Sequence, residues 1–193
     1  VFYGNIKQKR FIRRYRMKNV LIISSSPRKN GNSQMLCEAF NKGVEESGNF
    51  AKLIRLAEKN IGYCKGCDFC MKNDGICVQK DDMSEILDAY KKADVLVLAT
   101  PVYFHGVCAQ MKTFIDRTYP IWQNLGKKEI YYIVTAGLGR DIIECSLGDL
   151  DGFIFHLEKH EIKGRIYATD VTDVGAVSKT PFINMAYQMG YCV

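Results

Sequence analysis

The stretch VLIISSSPRKNGNS, from Val20 to Ser33, indicates the fold class by itself. It begins with a continuous apolar run, VLII, which is typical of a parallel strand covered on both faces. A polar turn follows, and the apolar spacing after the turn predicts a helix over about residues 32–47, closed by Gly48. A buried strand that leads directly into a helix is the first half of a βαβ unit.

The alternation of strand and helix continues along the chain. Further strands are predicted over residues 50–56, 95–99, 130–135 and 165–171. Further helices are predicted over 83–90, 107–115 and about 142–160, and a last one begins at Pro181 with Thr180 as its N-cap. Five strands with intervening helices predict a three-layer α/β/α domain with a five-stranded parallel sheet.

The net charge of +6 is distributed unevenly over the 193 residues. Residues 1–16 carry six basic residues and no acid, whereas residues 17–193 carry equal numbers of each. A domain-wide surface for nucleic acid is therefore not expected. Hydrophobic residues at 47% and charged residues at 25% exclude a disordered chain, and no uncharged run is long enough to span a membrane.

We therefore predict two parts, a basic N-terminal extension over residues 1–16 and one domain over residues 17–193. The extension is either an upstream read-in before Met17 or a basic arm that docks on a partner subunit, a membrane surface or nucleic acid. It does not read as a secretory signal. Eight cysteines without an export signal predict reduced thiols or metal ligands and a cytoplasmic location.

The turn after the first strand carries groups that suit a phosphate monoester. It offers several hydroxyls, a guanidinium and the free N–H groups of a helix N-terminus. It matches neither the nucleoside-triphosphate P-loop nor the dinucleotide glycine fingerprint. The alternative is a polar turn that only caps the helix.

Three motifs in order carry a family resemblance: SSSPRKNGNS after the first strand, ATPVYFHG after the third, and MKTFIDR in the helix that follows. Together they resemble the NAD(P)H-dependent FMN reductase family of flavodoxin-like proteins. The resemblance implies strand order 2-1-3-4-5, bound FMN and NAD(P)H as co-substrate. It also implies a homodimer or homotetramer, in which the loop over residues 119–122 either covers a neighbour's FMN or packs on its own subunit.

The resemblance also implies which residues hold the flavin. The FMN phosphate is assigned to the first loop, at Ser24, Ser26, Arg28, Asn32 and Ser33. The isoalloxazine ring is assigned to the second loop, at Pro101, Val102, Tyr103 and Phe104, and its edge to Ala136 and Gly137. Packing at a strand end is the alternative for the two aromatic residues, and His105 is either a solvated loop residue or a contact to the flavin or substrate.

Four cysteines, Cys64, Cys67, Cys70 and Cys77, are separated by two, two and six residues. This compact layout favours a 4Fe-4S cluster over structural zinc, which usually uses two separated pairs. It resembles the iron–sulfur flavoprotein branch of the same family. Reduced thiols without a cluster, or a zinc site, remain alternatives. Cys37, Cys108, Cys145 and Cys192 lie on helical patterns and are expected to be buried.

The sequence thus predicts an FMN-dependent NAD(P)H oxidoreductase that reduces quinones, nitro or azo compounds, or free flavins. No side chain is assigned as a general acid or base, because the flavin carries the hydride chemistry. The alternatives are an electron carrier that links a 4Fe-4S cluster to FMN, with a redox protein as partner, and a flavin-free binding module.

Overall fold

A computed structural model describes residues 16–157 and 159–193 of the chain. The strands are β1 Asn19–Ser24, β2 Phe50–Arg55, β3 Val95–Tyr103, β4 Gly106–Val107, β5 Glu129–Thr135 and β6 Glu161–Ala168. The helices are α1 Asn32–Glu46, α2 Met83–Lys92, α3 Ala109–Arg117, α4 Asp141–Phe155 and α5 Phe182–Tyr191. Residues 1–15 of the predicted basic extension lie outside the described residues.

The sheet confirms the predicted topology. Its parallel strands are hydrogen-bonded in the order β2-β1-β3-β5-β6, which is the order 2-1-3-4-5 once the short β4 is set aside. The sequence did not predict β4, which has two residues and pairs antiparallel with the end of β3. The order reverses between β1 and β3, so a ligand is expected at the carboxyl ends of these strands.

Apolar side chains fill both faces of the sheet, which accounts for the uninterrupted apolar runs in the sequence. Val20 and Ile22 of β1 pack toward α1 and α5, and Leu21 and Ile23 pack toward α2, α3 and α4. All four side chains are buried. No helix in the described residues combines the length and apolar character that a membrane crossing requires.

Helices α1 and α5 cross at unusually close range. A Cβ atom built on Gly43 of α1 would lie 2.1 Å from the carbonyl oxygen of Tyr187, and one on Gly190 of α5 would lie 2.1 Å from that of Phe40. Only glycine permits two helix backbones to approach this closely. Both glycines therefore fix the position of α1, the helix that begins at the polar turn.

Several predicted boundaries differ from the structure. The last strand was predicted over residues 165–171 but runs from Glu161 to Ala168. Its first half is polar and exposed, because it lies at the edge of the sheet, and so it lacks the apolar pattern by which a strand is predicted. The helix predicted to reach residue 160 ends at Phe155. Helix α5 begins at Phe182, one residue later than predicted, but the predicted cap is present: the Thr180 hydroxyl accepts from the N–H of Phe182 at 3.4 Å and donates to the carbonyl oxygen of Val177 at 2.7 Å.

Candidate functional site

A cavity of about 250 Å³ lies at the carboxyl ends of β1, β3 and β5. Four loops line it, and the predicted cofactor residues among its walls are Ser26, Arg28, Asn32, Ser33, Pro101, Val102, Tyr103, Ala136 and Gly137. The fold therefore brings together three separate segments that the sequence singled out. The cavity is also lined by Thr135, Val171 and Thr172, which sequence reasoning missed.

The turn between β1 and α1 presents uncapped backbone N–H groups and an arginine to the cavity. Helix α1 begins at Asn32, its cap residue Gly31 provides no side-chain hydrogen bond, and its first turn holds no acidic residue. The first N–H groups of a helix have no intrahelical partner, and the helix dipole favours an anion there. The Arg28 guanidinium lies at the same cavity, exposed and 3.4 Å from the carbonyl oxygen of Thr172. This arrangement can bind a phosphate group.

The side chain of Asn32 forms hydrogen bonds with backbone groups and is not available to bind a phosphate. Its amide nitrogen donates to the carbonyl oxygens of Val171 and Asp173 at 2.8 and 2.9 Å, and its oxygen accepts from the N–H of Val177 at 3.1 Å. Asn32 thus ties the β6–α5 segment against the start of α1. Its backbone N–H, rather than its side chain, is the group that suits a phosphate.

Hydroxyl contacts join the first loop to the neighbouring strand ends. The hydroxyls of Ser33 and Thr135 are 2.8 Å apart and buried. The Thr172 hydroxyl donates to the carbonyl oxygen of Gly137 at 3.0 Å, and a Cβ on Gly137 would lie 3.2 Å from that hydroxyl. These contacts give the cavity fixed polar walls. Thr135 could have been predicted as a site residue, because it is the polar residue that ends an apolar strand.

Two predicted flavin contacts lie away from the cavity. Ser24 is still within β1, where strand alternation turns its buried side chain toward Cys37 of α1. Phe104 is fully exposed at the tip of the β3–β4 turn, where it and His105 have positive φ angles of 48° and 63°. Tyr103, which precedes this turn, is the aromatic side chain at the cavity wall.

A buried thiol connects the first two loops. Cys108 is the cap residue of α3, and its Sγ lies 3.1 Å from the hydroxyl of Ser25 and 3.3 Å from its carbonyl oxygen. The N–H of Cys108 donates to the hydroxyl of Thr100 at 3.3 Å. The expectation that Cys108 is buried is confirmed, and the thiol holds the β1–α1 loop against the end of β3.

The four clustered cysteines all line one narrow cavity of about 30 Å³. Cys70 is buried, and burial raises the pKa of its thiol, whereas Cys64 and Cys67 are exposed and Cys77 is half-buried. Across the described residues, no three His, Cys, Asp or Glu side chains are grouped closely enough to hold one metal ion. The four cysteines therefore share one cavity without the compact grouping that a single zinc ion needs.

The other cysteines divide into two classes. Cys37 is buried, and burial raises the pKa of its thiol to about 12, so the group is chemically inert. Cys145 and Cys192 were expected to be buried but are exposed. Helix α4 packs on the core through Ile143, Leu147 and Leu150, and Cys145 lies on the opposite face of that helix.

The segment over residues 119–122 lies beside the cysteine loop. Pro120 and Ile121 are buried, while Tyr119 and Trp122 are partly exposed and line a cavity of about 600 Å³ that also contacts Cys64. This segment does not line the 250 Å³ cavity of its own chain. Its predicted role over a neighbour's cofactor stays a prediction.

The sequence pattern described as NADPH-dependent FMN reductase matches residues 18–170. An iron–sulfur flavoprotein of Archaeoglobus fulgidus is 42% identical over 127 residues, which cover 64% of this chain and 57% of that protein. The chain spans about half the length of the curated relatives it matches.

Solved structures show the same fold at low sequence identity. An NAD(P)H:quinone oxidoreductase from Methanothermobacter marburgensis has a TM-score of 0.67 at 17% identity, with 91% of this chain and 98% of that chain covered. An azoreductase from Bacillus anthracis has a TM-score of 0.69 at 15% identity, with 92% and 100% covered. At these identities the likeness establishes the flavodoxin-like fold alone.

Proposed function

Because the chain belongs to the NADPH-dependent FMN reductase family, we propose that it is an FMN-dependent NAD(P)H oxidoreductase. One observation carries the proposal. Two of the family's motifs, SSSPRKNGNS and ATPVYFHG, meet the end of β5 at one cavity, and its first wall is a helix N-terminus without a side-chain cap and with an arginine beside it. Such a wall suits the phosphate of FMN. The ends of β3 and β5, which form other walls, suit its isoalloxazine ring.

The residues that would hold FMN fall into three groups. The backbone N–H groups at Asn32 and Ser33, together with Arg28, would bind the phosphate. The end of β3, with Tyr103 as an aromatic wall, would contact the isoalloxazine ring. Gly137, whose carbonyl oxygen accepts from the Thr172 hydroxyl at 3.0 Å, would contact the flavin edge.

When bound, FMN supplies the hydride chemistry, accepting a hydride from NAD(P)H and passing electrons to an acceptor. The protein binds and orients the cofactor. Among the described residues that line the cavity, Arg28 is the one charged side chain, and no carboxylate or imidazole is present. A positive charge and no acid suit an anionic cofactor, and they agree with a reaction that needs no general acid or base from the chain.

Steady-state kinetics tests the proposed activity. FMN-loaded protein is mixed with NADPH and menadione, a quinone acceptor, and NADPH oxidation is followed while both concentrations vary. We expect turnover with parallel double-reciprocal lines, because NADP⁺ leaves before the quinone enters the same site in a ping-pong cycle. Protein that retains stoichiometric FMN but gives no turnover with quinone, nitro, azo or flavin acceptors would refute the activity.

A second function, electron transfer between a 4Fe-4S cluster and FMN, is favoured by the convergence of Cys64, Cys67, Cys70 and Cys77 on one cavity. The donor set fits a cluster, since four thiolates are its usual ligands. Iron and sulfide assays on anaerobically prepared protein decide the matter: about four irons per chain support the electron carrier, and the absence of iron excludes it.

The two-part chain, the homo-oligomer and the cytoplasmic location stay predictions.

A further inference from the structure

Arg117, the last residue of α3 and of the MKTFIDR motif, is the largest fully buried side chain of the described protein, with 2% of its surface exposed. Its two terminal nitrogens donate to both carboxylate oxygens of Asp81, at 2.7 and 2.9 Å. Nη1 also donates to the carbonyl oxygen of Gly62 at 2.5 Å. A buried guanidinium is tolerated because it is paired in this two-pronged manner.

The two partners of Arg117 stand on either side of the cysteine segment in sequence. Gly62 precedes the first clustered cysteine and Asp81 follows the last. The two are also joined directly, because the N–H of Gly62 donates to Asp81 Oδ2 at 3.0 Å. These hydrogen bonds, the one from Arg117 first among them, hold the pKa of the Asp81 carboxyl below its usual range. The base of the cysteine loop is thus closed by one buried ionic network.

The network also reaches the sulfurs. Arg117 Nη2 donates toward Cys77 Sγ at 3.7 Å, and Arg117 lines the same narrow cavity as all four clustered cysteines. A hydrogen bond and a permanent positive charge beside a cysteine sulfur favour its anionic, electron-rich state, and such contacts raise the reduction potential of a bound cluster.

We propose that Arg117 is the positioning residue of the four-cysteine loop: it clamps the two ends of the loop and fixes the position of Cys77 Sγ for a metal centre. Lysine does not replace it, because an ammonium group lacks the planar fork that reaches Asp81, Gly62 and Cys77 together. The inference depends on the second candidate function only in the part of its test that uses iron.

Hydrogen–deuterium exchange on the metal-free chain tests the clamp. In the Arg117→Lys variant we expect exchange over residues 62–81 to be about tenfold faster than in the wild type, with exchange in β1 unchanged. Arg55→Lys is the matched control, since Arg55 is mostly buried and is paired with Glu58 at 2.5 Å rather than with Asp81 or Gly62. It should leave exchange over 62–81 unchanged.

Reconstitution with ferrous iron and sulfide gives the second readout. Arg117→Lys should bind less iron and sulfide than the wild type, and any cluster it holds should have a lower reduction potential because the donor to Cys77 Sγ is lost. If Arg117→Lys does not fold, Asp81→Asn replaces it, since asparagine keeps the shape and one acceptor oxygen; faster exchange confined to 62–81 is again expected.

Wild-type exchange over residues 62–81 in a folded variant would overturn the proposal, and so would faster exchange spread evenly over the whole chain. If the wild type takes up no cluster, the exchange data alone decide. FMN affinity of Arg117→Lys should stay within about twofold of the wild type, because Arg117 does not line the FMN cavity. A wild type that fails to bind FMN would refute the reductase and leave the clamp standing.

Discussion

The Gly43→Ala variant is expected to lose about 3 kcal/mol of unfolding free energy. The added Cβ would lie 2.1 Å from the Tyr187 carbonyl oxygen and 2.7 Å from the Tyr191 nitrogen. Both atoms belong to the α5 backbone, so no side chain can rotate away. The two helices must separate, and the apolar contacts between them are lost. Urea unfolding followed by circular dichroism measures the loss.

Gly152→Ala is the matched control for this substitution. Gly152 lies in α4, and a Cβ there meets nothing within 4 Å. Alanine should raise stability at that position by about 0.5–1 kcal/mol, because it costs less backbone entropy in a helix than glycine does. Equal unfolding midpoints for Gly43→Ala and the wild type would mean that α1 and α5 do not cross at the distance described.

The Arg28→Ala variant is expected to bind FMN about tenfold more weakly than the wild type. Arg28 is the one charged side chain among the described residues at the cavity, and a charge-assisted hydrogen bond to phosphate is lost with it. Its exposure keeps the effect below that of a buried pair, because solvent screens the charge. Quenching of flavin fluorescence during titration gives both dissociation constants.

Lys29→Ala controls for the general loss of positive charge. Lys29 is the next residue and is also exposed, but it does not line the cavity. Its removal should change FMN affinity by about twofold at most. If Arg28→Ala and Lys29→Ala weaken FMN equally, the loop attracts the anion only through net charge, and the assignment of Arg28 as a phosphate ligand is wrong.

The strands that carry the fold could be predicted because the sheet is buried on both faces. The run Val95–Ala99 contains no polar residue and therefore predicts a strand unambiguously, and all five residues are buried in the structure. Its continuation to Tyr103 was missed because Pro101 argues against a central strand. Pro101 is tolerated there because β1 ends opposite Ala99, so the backbone on that side no longer needs a donor.

The candidate site was predicted in its loops but not in its detailed bonding. The ends of β1, β3 and β5 meet as the predicted strand order implies, since residues after parallel strands gather at one edge. The fourth loop escaped because Val171 and Thr172 carry no motif and are brought in by Asn32, more than a hundred residues away in the sequence. The same long-range bonds occupy the Asn32 side chain, which local sequence suggested was free for phosphate.

The central claim, that the β1–α1 turn binds the phosphate of FMN, is tested most directly by titrating the wild-type protein with FMN and, separately, with riboflavin. The two ligands share the isoalloxazine ring and ribityl chain and differ only in the phosphate. We expect one FMN per chain and riboflavin binding about a hundredfold weaker, because riboflavin leaves the helix N-terminus and Arg28 without an anion. Equal affinities for the two ligands, or no binding of FMN, would contradict the claim.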